Sequence, residues 1–263
     1  MGLLRSVLAQ AVVDRQVSSN PADGIKAPRR AHSQRGYLTH DQVRGLATET
    51  APSLVKSGGH REIFVTNTSF ETLIFFLAYT GLRWGEMAAL KVGSFDMRRR
   101  RVSVTEAYAE VSGRLVLDTA KNHERRSAPF PAFLAAPLAE MMTGRGIDDL
   151  VLTGARGAAL RVNNFRRRQF APAVARCQAA DLRFPLITPH DLRHTAASRA
   201  ISVGANVKSV QTMLGHKSAA MTLDVYADLF PDDLDAVAIA LDHAVSARSV
   251  PKMCPRDEEE PVS

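Results

Sequence analysis

The chain has 263 residues, 45% of them hydrophobic, enough to bury the core of one large domain or a domain and a half. Lys and Arg number 34 against 27 Asp and Glu, a formal charge of +7 that favours a polyanionic partner, nucleic acid ahead of a membrane surface. The two cysteines, Cys177 and Cys254, give neither a disulfide framework nor metal-ligand spacing, and residues 1–16 read as neither a secretory leader nor a membrane span, so the chain reads as cytoplasmic.

Residues 2–16 predict a short amphipathic helix with Leu3, Leu4, Val7, Leu8, Ala11 and Val12 on one stripe. SSNPADGIKAPRR follows as a linker. A larger domain begins near Tyr37. Thr39 with Gln42 fits a capping box and starts a helix to about Ala47. SGGHRE from Ser57 is a loop, and FETLIFFLAYT at 70–80 is a core-directed helix. Gly81 interrupts it, Arg83 sits at the break, and RWGEMAAL begins another helix. The period then changes. RVSVTEAYAEV and RLVLD alternate around a Ser112-Gly113 turn, and a third strand runs from about Arg126 to Phe130. This predicts a small three-stranded antiparallel sheet in a mostly helical α+β domain, with Lys121 at the second turn. PAFLAAPLAEMMTGRG is a helix with a glycine stop. Asn163 or Asn164 caps the next helix, with Arg166, Arg167 and Arg168 in its first turns. That triplet fits a phosphate-contact patch and a solvated face equally well.

PHDLRHTAASRAISVGANVKSVQTMLGHKSAAMTLDVY at 189–226 organises the chain. His190 and Arg193 are three apart and share a helix face. Gly204 ends that helix. Asn206 caps a second, which Gly215 breaks, and a third starts near Ser218 and carries Tyr226. His190, Arg193, His216 and Tyr226 can all handle a phosphodiester. His194 reads as satisfying a buried hydrogen bond, and Trp84 as packing. One more amphipathic helix lies around 234–247, and the tail from Val250 reads as disordered.

TGLRWGE at 80–86, Lys121 in a turn, HDLRH at 190–194, LGH at 214–216 and Tyr226 occur in that order. The set resembles the tyrosine recombinase (phage integrase) family over roughly residues 37–245. The resemblance implies that Tyr226 is a nucleophile that forms a 3′-phosphotyrosine bond with DNA and releases a 5′ hydroxyl. It implies that Arg83 and Arg193 hold the non-bridging oxygens, that Lys121 protonates the leaving 5′ oxygen, that His190 assists proton transfer as a base toward the tyrosine, and that His216 hydrogen-bonds the phosphate. Glu86 would orient the site. Double-stranded DNA is the implied partner, with a homo-oligomer (a tetramer) on DNA and an accessory bending or directionality factor; no cofactor and no metal are implied. The chemistry fits the residue types. A phosphodiester under attack gains charge on its equatorial oxygens, which fixed guanidiniums stabilise. A phenol with a pKa near ~10 needs cations or a base to react at neutral pH.

Two departures from the family pattern stand out. The turn at Lys121 reads KNHERRSAPFP rather than lysine–threonine. Residues 1–36 resemble only the last helix and linker of a core-binding DNA clamp, which leads to the expectation of an N-terminally truncated integrase of prophage or mobile-element origin. The expected organisation is residues 1–36 as that remnant, 37–249 as the catalytic domain and 250–263 as the tail. Two alternatives remain: a non-catalytic DNA binder built on the helix-turn-helix look of 198–218, and strand relaxation of the type IB topoisomerase kind.

Overall fold

The computed structural model describes residues 2–25, 36–50, 55–57, 60–62, 70–119, 126–154, 157–229, 239 and 241–243. Lys121, the tail, most of the 234–247 segment and linker residues 26–35 lie outside them. The chain divides into two compact units, Met1–Arg35 and Gly36–Ser263. In the first, α1 (Gly2–Val13) is met by the segment behind it: Arg5 Nη2 donates to Ala22 O at 2.7 Å and Asn20 Nδ2 to Arg5 O at 3.0 Å. Leu3, Leu4 and Val7 on its apolar stripe are exposed.

The second unit opens with α2 (His40–Thr50). The Thr39 hydroxyl accepts the Gln42 N–H, and the Gln42 side chain accepts the Thr39 N–H, the reciprocal bonds of a capping box. Two short strands, β1 (Val55–Ser57) and β2 (His60–Glu62), pair antiparallel where a plain loop was expected. Next comes α3 (Phe70–Thr80), buried on most of its circumference, so α2 and a later helix can pack on different faces of it. Gly81 then takes φ +67°, and a Cβ there would sit 2.7 Å from Leu214 Cδ2; only glycine lets the chain turn so close to that leucine. The turn leads into α4 (Trp84–Ala88), whose Trp84 packs on Phe165 and donates to Leu160 O.

The sheet differs in pairing from the sequence reading. The alternating run at 101–111 breaks at Thr105. Its first half, β4 (Arg101–Val104), pairs with β3 (Phe95–Asp96) on one side and, as the three-stranded sheet closes, with β7 (Arg126–Pro129) on the other. Its second half, β5 (Glu106–Val111), pairs with β6 (Arg114–Thr119) in a separate hairpin turned at Ser112 and Gly113. The hairpin answers to helix packing: α4 lies so close on β5 that a Cβ on Gly85 would collide with the Tyr108 carbonyl.

The remaining elements are helical. They are α5 (Ala135–Met142), α6 (Val162–Phe165), a π-helical turn over Arg166–Phe170, α7 (Ala171–Ala180), α8 (Asp191–Ser202), α9 (Val207–Leu214) and α10 (Ala219–Tyr226). Arg161, not an asparagine, occupies the N-cap position of α6. The main core gathers α2, α3, α5, α7 and the sheet around Leu46, Phe76, Leu138 and Phe170. A second cluster joins α8, α9 and α10 through Ala197, Ile201, Val210, Leu214 and Tyr226.

Candidate active site

The site forms where α8, α9 and α10 face the Gly81 turn and the start of β7. The local signals in 189–226 act as their chemistry dictates. Thr188 donates from N–H and hydroxyl to Asp191, starting α8. Asn206 accepts the Ser209 N–H and Ser218 the Met221 N–H, starting α9 and α10. Gly215 closes α9 in the left-handed region at φ +65°, with its Cα against the Arg126 guanidinium, where a side chain would collide.

Arg193 is 4% exposed. Its Nη1 donates to Gly81 O and its Nη2 to Leu214 O, both at 2.6 Å, so the guanidinium is fixed by two backbone turns from distant parts of the chain. Burial, with the Arg83 cation adding to it, lowers its pKa to about 10; it stays protonated at neutral pH. Arg83 is half exposed and stands at the N-cap of α4. Glu86 accepts from its backbone N–H at 2.7 Å and from Nη1 at 3.0 Å. The same buried carboxylate accepts from Arg126, whose Nη1 also reaches Met213 O at 3.4 Å. Burial alone would raise the Glu86 carboxyl. Arg126, the Arg83 N–H and the nearby guanidiniums outweigh it and hold Glu86 below the usual carboxylate range. Three arginines therefore surround one acid, leaving a net positive cluster.

His216 Nδ1 lies 2.9 Å from the buried Thr222 hydroxyl. Burial first, and then the cations of Arg193 and Arg83, push its pKa down to about 4, so the ring is neutral at pH 7. Its plane is parallel to that of Tyr226, centroids 6.4 Å apart. Tyr226 is 1% exposed. Its ring fills the second apolar cluster while its oxygen lies 2.6 Å from His194 Nδ1, near enough to Arg193 to interact with its guanidinium. His190, exposed at the first turn of α8, sets its ring edge-on to His194 at 5.3 Å.

Arg83, His190, Arg193, His216 and Tyr226 are thus brought together. Lys121 lies outside the described residues. Arg166, Arg167 and Arg168 are exposed on the π-turn, held by buried Phe165 and Phe170 on either side. Arg126 went unread in the sequence, and His194 was read only as satisfying a buried hydrogen bond. Arg126 shares a strand face with buried Ala128, two residues on, a charged residue pointing where an apolar one is ordinary. His194 is four residues from His190 and so on its helix face; its partner is the tyrosine itself. Among the described residues no group of three or more His, Cys, Asp or Glu could hold a metal, and no helix is long and apolar enough to cross a membrane.

The model of the phage integrase family matches residues 37–232. The chain belongs to the phage integrase family. Among curated relatives of this family, the tyrosine recombinase XerC of Mycobacterium bovis is 30% identical over 258 residues, covering 95% of this chain and 74% of its own. XerC of Corynebacterium efficiens is 31% identical over 147 residues, 54% of this chain; the match spans only 41% of that relative's length. Among solved structures, the Tn1549 transposon integrase in complex with transposon right end DNA is similar in fold, with a TM-score of 0.69 at 18% identity over 92% of this chain and 76% of that one. The mostly helical α+β fold with its small antiparallel sheet is that of the family.

Proposed function

We propose that this chain is a site-specific DNA recombinase that breaks and rejoins strands through a 3′-phosphotyrosine intermediate. The observation that carries the reading is the Tyr226 oxygen beside an imidazole, in the same cluster of charged groups as the fixed guanidinium of Arg193 and the Glu86-anchored Arg83. Family membership and the naming of its relatives as tyrosine recombinases support it. The DNA-bound Tn1549 integrase, a fold neighbour, supports duplex DNA as the partner.

In this reading the scissile phosphate lies between Arg83 and Arg193. Arg193 has three N–H donors beyond the two given to backbone carbonyls, and it cannot swing away because those carbonyls hold it. Charge that develops on the equatorial oxygens meets cations already in place, so little reorganisation is needed. Neutral His216 offers a ring N–H to the same oxygens while Thr222 holds its other nitrogen. The Tyr226 oxygen bonds to phosphorus and the bond to the 5′ oxygen breaks; Lys121 supplies that oxygen's proton, and His190 assists proton transfer. The covalent ester keeps the bond energy, so resealing needs no nucleotide. The strand exchange takes place in a tetramer on DNA, with an accessory bending or directionality factor, and residues 37–249 carry the chemistry.

The test is a pool of duplexes with randomised arms, nicked beside each candidate scissile position so that the cut end diffuses away. The wild-type chain is expected to leave a denaturant-stable protein–DNA adduct, and Tyr226→Phe none. Equal, background-level adduct from both proteins would defeat the proposal.

A further inference from the structure

The resemblance makes His190 the base toward the tyrosine, yet the imidazole that meets the phenolic oxygen is that of His194. We infer that His194 Nδ1 is the immediate acceptor of the phenolic proton, an inference that rests on the recombinase reading. The Tyr226 oxygen and His194 Nδ1 are 2.6 Å apart, within direct proton-transfer distance. Both groups are held. Tyr226 is locked by burial in the α8–α10 cluster, and His194 sits on α8 between Arg193 and the buried Thr195. His216, the other imidazole against the tyrosine, is engaged through Nδ1 by Thr222 and lies parallel to the tyrosine ring rather than at its oxygen. His190 stands on the outer side of His194, ring edge to ring face at 5.3 Å, and is exposed. The arrangement runs from buried phenol to half-buried imidazole to exposed imidazole, which suits a proton leaving a closed site toward solvent.

The step balances. The Tyr226 oxygen–phosphorus bond forms as the phenolic proton passes to His194 Nδ1, giving an imidazolium. The phosphorus–5′ oxygen bond breaks, and that oxygen takes a proton from Lys121. On resealing, the 5′ hydroxyl attacks phosphorus and returns its proton to Lys121. Tyr226 leaves and recovers its own proton from His194. For this, neutral His194 carries its proton on Nε2, and its Nδ1 accepts the Tyr226 hydroxyl.

The experiment uses the full chain and the adduct assay on nicked duplex. His194→Asn keeps a polar group near the position of Nδ1 but cannot take up a proton; His194→Gln stands in if the Asn protein does not fold. Each is made with Tyr226 natural and with 3-fluorotyrosine at position 226, a more acidic phenol that needs less help from a base. The expected result is an adduct rate lowered by on the order of 10²-fold in His194→Asn, part of which the fluorinated phenol restores, while the wild type gains little from it. An unchanged rate in His194→Asn overturns the assignment. So does a loss that the acidic phenol does not restore, because a residue that only positions the tyrosine gives that pattern. No adduct from wild type on any duplex in the pool removes the recombinase reading itself, and the assignment with it.

Discussion

At the scale of single residues the site is governed by buried charge that has been paired. Glu86 is the hub, accepting from Arg83 and Arg126 with Arg193 close by. Removing it leaves Arg126 buried without its anion. Glu86→Ala is therefore expected to lower stability by about 3–5 kcal/mol, read in a urea melt, and to abolish adduct formation at temperatures where the protein is still folded. His216 gives a pH signature. Its pKa is about 4 in the folded chain against 6.5 ordinarily, so the unfolded chain binds the proton first. Its contribution to stability is complete above pH 6.5 and is lost as pH falls from 6.5 toward 4. The test is the difference between wild type and His216→Gln over that range, in which the carboxylates common to both cancel; a flat difference would contradict the depressed value. His190, Arg193, His216 and Tyr226 stood out in the sequence as phosphodiester-handling residue types within one stretch, and Arg83 by its place at a helix break; their roles came from the family resemblance. The His194–Tyr226 and Arg126–Glu86 bonds were not legible, since they join residues 32 and 40 positions apart and nothing in local spacing encodes which side chains meet.

At the scale of elements, caps and glycines did most of the specifying. The Thr39–Gln42 box, Asn206, Ser218 and Gly215 place α2, α9 and α10 as their residue types predict. Asn206→Ala and Ser218→Ala should each cost about 1 kcal/mol, with Ser218→Ala also slowing adduct formation because α10 carries Tyr226; thermal melts and the adduct assay separate the two effects. Gly215→Ala meets both a left-handed backbone, about 1–2 kcal/mol, and the Arg126 guanidinium, so its loss should exceed that of either cap variant. Strand pairing was less legible. RVSVTEAYAEV reads as one strand, but its alternation slips at Thr105 and Glu106, two polar residues in succession, and there the chain divides between two sheets, β4 pairing with β7 and β5 lying under α4. Alternation reports a buried face but not which neighbour supplies the hydrogen bonds.

At the scale of the whole molecule, the charge of +7 is an argument about DNA. Counterion release makes binding fall as salt rises, with a slope of about 0.9 per phosphate contacted on duplex DNA. Arg166, Arg167 and Arg168 stand out from the body on a turn stiffened by Phe165 and Phe170. If they contact phosphates, replacing all three with glutamine lowers the slope of log affinity against log salt by up to about 2.7 units and weakens binding to every sequence alike. An unchanged slope assigns the triplet to a solvated face.

Arg126 has one more consequence. It is the first residue of β7 and sits five positions after Lys121, so the intervening chain spans at most about 18 Å. Its hydrogen bonds to Glu86 and Met213 O fix the start of β7 to the carboxylate that also steadies Arg83. If Lys121 protonates the leaving 5′ oxygen as proposed, Arg126→Met, which frees the start of β7 from Glu86, should slow departure of the 5′ oxygen first. A substrate with a 5′-bridging sulfur, which leaves without a proton, should then be cleaved by the variant far better than ordinary DNA.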